Sequence, residues 1–428
     1  MNRREFIKIN VRMALAGIAL AGTQGLPTML GVSTSHAASS VNLTIQPVLW
    51  EMVDGIQVNA WAFDDGSGPR IPGVIVNALE GEQVTFNITN NNSIPHGFGL
   101  WNGTQILPGT TIASIQPGGT GSVTFTAPAA GSYMYVDPLN WPLHRVMGLN
   151  GALFVKPQNA VLPNGNRIPY SSPPAAMQEL FSDFGKVSYF PGDDWDPART
   201  WLWMFHSVDP NWNQTIQTLA CDGNAAGIAA SVASFTTTYT PQYFLINGRS
   251  GHWSGHEPDT APYGNVGMPA LIVSMNSGLN AASPHIHGNH VFELAANGTV
   301  KDNLIFLDTW SMLSGDIKSH LLPFIIPPDT INSPEDPAAW SAAGGVPKVE
   351  VASGVLRSQF PFVYPMHCHL ETSQTAAGGN YPNGSMTHWS ILSPTIGGPV
   401  DPALIGKHPD RRIFGDPDPR GFTNSVGL

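Results

Sequence analysis

Short runs in which apolar and polar residues alternate, closed off by Gly, Pro or Asn, constrain this chain more than any other feature. Glu82-Gln83-Val84-Thr85-Phe86-Asn87-Ile88-Thr89 and Gly121-Ser122-Val123-Thr124-Phe125-Thr126 are two of them. Side chains two apart in a strand share a face, so a period of two buries one face and wets the other. Strands of this kind, with turn signals between them, build a sandwich. With 45 Gly and 38 Pro in 428 residues the chain carries too many breakers for a mainly helical protein, and its 11% of charged residues suit neither disorder nor a coiled coil. The expected fold class is all-β.

Charge narrows the partners. Nineteen Lys+Arg stand against 30 Asp+Glu, a net −11, and no basic run interrupts the acidic body, so the chain reads as a poor binder of nucleic acid and of anionic membranes, with no nucleic-acid partner expected. Four of the basic residues sit at the start, where Asn2-Arg3-Arg4-Glu5-Phe6-Ile7-Lys8 forms a twin-arginine pattern. A Gly-rich apolar stretch from Met13 to Gly22 and a small-residue exit at Ser35-His36-Ala37 follow. Residues 1–38 therefore read as an export signal, too short and too Gly-rich in its apolar part to span a bilayer, and the mature chain is expected in the periplasm or outside the cell. The two cysteines, Cys221 and Cys368, either pair or stay apart; Cys368 lies between two histidines, so metal binding and a free thiol compete with a disulfide.

The second half of the chain restates the first. Gly73 to Trp101 runs strand, turn, strand, Asn-rich turn and then Pro95-His96-Gly97. Met268 to Phe292 runs through Ala270-Leu271-Ile272-Val273 and an Asn/Ser turn to Pro284-His285-Ile286-His287-Gly288. Tyr133 to Pro138 likewise corresponds to Tyr364 to His369. Two related β-domains follow, at 41–157 and 175–395, joined by a linker at 158–174. Residues 207–240 and 327–350, rich in Asn, Gly, Ala and Pro, read as decorating loops of the second domain, and 396–428 as a Pro/Gly-rich tail.

The strongest chemical signal is His285-x-His287-Gly together with His367-Cys368-His369. Each pair presents two imidazoles on one strand face, and four converging imidazoles suit a copper ion or a copper pair, with the Cys368 thiolate pointing to the opposite face.

On these motifs the chain resembles the multicopper oxidases, in the two-domain branch related to copper nitrite reductases, over Asn90 to Gly103, Gly131 to Val155, Ser283 to Leu294 and Phe360 to Trp389. The resemblance implies two cupredoxin-like Greek-key β-sandwich domains, copper as cofactor, a small-molecule or metal-ion reductant with dioxygen as acceptor, and a homotrimer whose neighbouring subunits share a copper site.

Carried onto this sequence, the resemblance makes His96 and His144 two ligands of a first-domain type 1 copper, but its Cys position is Asp137 and its Met position Leu149, with Met147 close by. The first-domain histidines of the shared cluster fall on Trp101, Val136 and Pro138. In the second domain His285, His287, His367 and His369 match cluster ligands and Cys368 a type 1 cysteine, while the remaining type 1 positions are Ala282 and Ser373.

His96, Asp137 and His144 read either as a two-histidine, one-carboxylate metal set or as a site where Asp137 only accepts hydrogen bonds. Glu371 is a candidate proton donor or a plain loop carboxylate. Met386 or His388 are candidates to return to the metal from the loop after Glu371. His290 reads as a partner behind the ligands, and His252 and His256 as surface or pocket-rim residues. His206 and His320 have no partner spacing. Two functions stay open: a copper oxidoreductase, or a non-enzymatic copper-binding protein on an oxidase scaffold.

Overall fold

A computed structural model describes residues 36–37, 40–325, 348–351, 354–357, 361–376 and 383–405. The twin-arginine pattern, most of the 327–350 segment, part of the loop after Glu371 and most of the tail lie outside the described residues.

The alternating runs form strands as their patterning requires. Gln83–Asn90 buries Val84, Phe86, Ile88 and Asn90 and turns its other residues outward. It lies in a five-stranded sheet between Ser40–Glu51 and Thr120–Thr126. Against it packs a six-stranded sheet in which Gly131–Val136 runs antiparallel to Asn150–Lys156 and to His96–Trp101. Phe86, Phe98, Phe125 and Tyr135 cluster between the two sheets.

The second sandwich repeats the plan. A six-stranded sheet is built on Thr200–Val208, Ala270–Asn276 and Ile317–Leu322, and a four-stranded sheet runs Tyr263–Val266, Met386–Ile396, Phe362–Cys368, Pro284–Ile286. Trp203, Ile272, Met312, Met366, Cys368 and Trp389 share its core. The chain is all-β, with two cupredoxin-like sandwiches.

The expectation for 207–240 is corrected: this segment is a helical hairpin, Pro210–Cys221 and Ala225–Thr238. Asp209 caps the first helix by accepting from the backbone N–H groups of Asn211 and Trp212, with Pro210 opening it, and Asn224 caps the second by accepting from Gly227. Ile216, Ala220, Ile228 and Phe235 are buried in the core of the first sandwich, so the hairpin closes that domain from outside.

Arg145 joins the sandwiches. It is 1% exposed, donates through Nη1 to the Asn276 carbonyl (2.9 Å) and through Nη2 to Ser314 Oγ (2.7 Å), and lies over the Trp141 ring. Trp101, at a position where the resemblance implies a ligand, packs at a tilt against Trp141 and donates its indole N–H to the Gly315 carbonyl at 2.7 Å.

Candidate metal centres

Strand register places the second-domain histidines. His285 pairs with His367 across the antiparallel strands. The backbone N–H of His287 donates to Pro365 and that of His369 to Ser283. These bonds lie two residues either side of the His285–His367 pair, which makes it the wider, hydrogen-bonded kind of an antiparallel ladder. The rings neighbour one another in a closed circuit: His285–His287 4.6 Å between centroids, His287–His367 5.3 Å, His367–His369 5.5 Å and His369–His285 5.1 Å.

What lies behind the rings decides which nitrogen carries the proton. His285 Nδ1 is 3.1 Å from the Asp308 carbonyl and 2.7 Å from Thr309 Oγ1. His367 Nδ1 is 3.2 Å from the Cys368 carbonyl. A carbonyl only accepts, so each Nδ1 carries the hydrogen and each Nε2 is left to a metal. Burial, and then the neighbouring imidazoles, hold His287 below the ordinary histidine range. Burial also lowers His367, whose protonated form the Cys368 carbonyl favours. His287 Nε2 already stands 3.2 Å from His367 Nε2. Among the described residues no three of the four place their nitrogens within 4.8 Å of one another, so the face is an open half-site.

Gly288 explains the turn after the His-x-His pair. Its φ is +82°, and a Cβ there would stand 2.6 Å from the Tyr364 ring. Trp389, stacked on Tyr364, fastens the turn by donating to the His287 carbonyl at 2.8 Å.

The other second-domain candidates separate from this face. Cys368 points into the core with no exposure, its sulfur accepting from the Ser283 N–H at 3.1 Å. Among the described residues it joins no group of three or more ligating side chains, and neither cysteine forms a disulfide. Ala282 and Ser373, both buried, contribute no imidazole. Glu371 opens an exposed 3-10 turn two residues beyond His369. Met386 is in register with His367, yet it and His388 pack against Gly255, and His388 Nδ1 donates to the Gly255 carbonyl at 2.9 Å. His290 stacks on Phe306. The partners behind the ligands are Thr309 and Asp308, which close the strand Thr299–Leu307; no motif marks them in the sequence.

In the first sandwich His96, Asp137 and His144 do come together, one donor atom from each within 4.8 Å of the others, all three without exposure. Both Nδ1 atoms lie 2.7 Å from Asp137 Oδ2, and Oδ1 accepts from the backbone N–H groups of Gly97 and Leu139 at 2.9 Å. His96 and His144, which donate to it, keep Asp137 ionised far below the ordinary carboxylate range despite burial. Burial lowers His96. Leu149 is buried at the Met position and Met147 is also in the core.

The description of the family "Multicopper oxidase" matches residues 44–160. The matched residues span most of the first sandwich. The copper-containing nitrite reductase of Rhizobium sullae is 27% identical over 238 residues, 55% of this chain and 54% of its own length. That of Alcaligenes xylosoxydans xylosoxydans is 25% identical over 276 residues, 63% of this chain and 73% of its own. The match to the Rhizobium sullae protein thus spans about half of that relative's length. Among solved structures, the multicopper oxidase mgLAC superposes with a TM-score of 0.54 at 19% identity, covering 90% of this chain and 93% of that one, a likeness of fold. The resemblance to nitrite-reductase-like multicopper oxidases, carried in the sequence by the histidine motifs, therefore stands, and members of these families bind copper. In the first sandwich Asp137 offers a carboxylate where the resemblance implies a thiolate. The second sandwich fits copper through His285 and His367, whose Nδ1 hydrogens are already committed to carbonyls.

Proposed function

We propose that this chain is an exported copper-binding oxidoreductase, resembling multicopper oxidases, that oxidises a small-molecule or metal-ion reductant with dioxygen as acceptor. Its centre is the face of His285, His287, His367 and His369. The observation that carries the reading is the tautomer set there: His285 and His367 are tied at Nδ1 to carbonyls, which makes Nε2 the lone-pair nitrogen of each ring.

Copper held on this face would supply one-electron redox chemistry. The chain's own residues do the rest. Thr309, the Asp308 carbonyl and the Cys368 carbonyl fix two of the rings, and burial keeps His287 and His367 neutral near pH 7. The exposure of His287 and His369 leaves the face open to small reactants. Glu371, exposed beside it, is the candidate to deliver protons. Cys368 belongs to the core in this reading, and a homotrimer is part of the proposal.

A second reading, a non-enzymatic copper-binding protein, is favoured by the closed hydrogen-bonded set at His96, Asp137 and His144, which leaves no electron-entry site in the first sandwich. One experiment separates the two. The chain is loaded with Cu(II), desalted, and assayed for bound copper and aerobic turnover of a phenolic dye, beside a His287→Ala/His367→Ala variant. Bound copper and turnover, both lost in the variant, support the oxidoreductase. Copper without turnover moves the assignment to the binding protein, and equal rates in the two proteins discard the site.

A further inference from the structure

We infer that the type 1 position of the first sandwich is closed to metal: His96, Asp137 and His144 form a carboxylate clasp, locked by Asn92 and Asn140, that stands where the family keeps a copper.

Distances do not decide this, because two imidazole nitrogens 2.7 Å from a carboxylate oxygen also suit three ligands around one ion. Hydrogen positions do. Asn92 Oδ1 accepts the Ser93 backbone N–H at 2.8 Å, which fixes the amide so that Nδ2 is the group 3.0 Å from His96 Nε2. An amide N–H2 only donates, so His96 Nε2 is an acceptor and the ring's single hydrogen sits on Nδ1, aimed at Asp137. Asn140 Nδ2 stands at the same 3.0 Å from His144 Nε2 and sets the same tautomer. A metal at Nδ1 would push each ring's hydrogen to Nε2, against an amide that also donates, at a contact buried at Asn92 and part-buried at Asn140.

The clasp satisfies itself without an ion. Asp137 accepts four hydrogen bonds, two from imidazoles and two from backbone N–H groups. Trp61 covers one side of the two rings. Its indole stands edge-on to His96 at 5.0 Å and to His144 at 5.1 Å, and its N–H donates to Gln217 Oε1 of the helical hairpin at 2.7 Å. Ser93 Oγ donates to the Ala220 carbonyl of the same hairpin. Lost metal and closed surface coincide, so the first sandwich is a structural domain, and any electron entering the chain does so in the second.

The test changes the locks. In a His287→Ala/His367→Ala background, which removes the other centre, the chain is equilibrated with Cu(II) and desalted, and bound copper is counted with an electron paramagnetic resonance spectrum. The clasp predicts well under a tenth of an equivalent. Adding Asn92→Asp/Asn140→Asp gives each Nε2 hydrogen an acceptor, keeps the Ser93 contact, and is expected to raise the count toward about one equivalent. On the unsubstituted chain, 15N-labelled imidazoles report the tautomers directly. Hydrogen on Nδ1 of both His96 and His144, with signals that survive one equivalent of Cu(II), supports the clasp. Hydrogen on Nε2, copper retained by the background protein, or no gain in a folded Asn92→Asp/Asn140→Asp chain overturns it.

Discussion

Arg145 Nη1 donates to the Asn276 carbonyl 2.9 Å away, so a guanidinium rooted in the first sandwich satisfies a backbone oxygen at the end of a central strand of the second. Burial alone pulls its pKa down to about 9, a measure of how poorly this place tolerates an unpaired charge. Arg145→Ala would leave that carbonyl and Ser314 Oγ short of a donor and open a void beside Trp141. The expected loss is about 1–3 kcal/mol of unfolding free energy for the buried carbonyl left without its donor, with the void adding to it. Arg145→Met, which fills the volume without the charge, should lose clearly less. Urea unfolding of the two variants measures the difference.

His206 makes the same interface sensitive to acid. It is buried, 3.1 Å from Asn150 Oδ1 across the sandwiches and edge-on to Trp50. Burial, with the Arg145 charge adding, lowers its pKa from 6.5 to about 3. Below pH 6.5 the unfolded chain takes up a proton that the folded chain refuses, so stability falls as pH drops from about 6.5 to about 3. Each unit in that window costs about 1.4 kcal/mol at the limit. Wild type and His206→Gln, unfolded in urea at pH 7 and pH 4.5, should differ in slope, the variant losing less. Equal losses would mean that other groups govern the acid limb.

The sandwiches were legible in the sequence because burial in a strand writes itself as alternation: Val84, Phe86 and Ile88 are apolar since their face meets the other sheet. The His-x-His spacing likewise forces a shared face. Residues that act through a donor or acceptor, without ligating, carry no such period. Asn92 and Asn140 are ordinary turn residues until His96 and His144 are folded against them, and Thr309 becomes a partner of His285 only when its loop is brought alongside. The hairpin at 210–238 was hidden because small residues such as Ala225, Ala226 and Gly227 resemble a loop, while its helical signal sits in two caps, Asp209 and Asn224.

Asp209 offers a direct check on that hairpin. Besides Asn211 and Trp212, its carboxylate accepts the Thr240 N–H at 2.7 Å, tying both ends of the hairpin to one side chain. Asp209→Ala should cost about 1–2 kcal/mol. Amide exchange should rise across 210–238, with Asp209→Asn intermediate. Unchanged exchange there would show that burial of Ile216 and Phe235 alone holds the hairpin.

Gly288 tests whether the His-x-His turn matters to metal binding without any ligand being altered. Because its φ is +82° and the Tyr364 ring occupies the space a Cβ needs, Gly288→Ala must shift either the turn or the ring. Tyr364 is itself stacked on Trp389, whose indole holds the His287 carbonyl, so the strain passes to the backbone of a proposed ligand. The substitution should cost about 1–3 kcal/mol in stability and weaken Cu(II) binding several-fold, with all four imidazoles present. A Tyr364→Leu change, less bulky beneath the turn, should recover part of the affinity when combined with it. Copper titration of the single and double variants reads the result, and an affinity unchanged in Gly288→Ala would show that the four rings find the metal without a fixed turn.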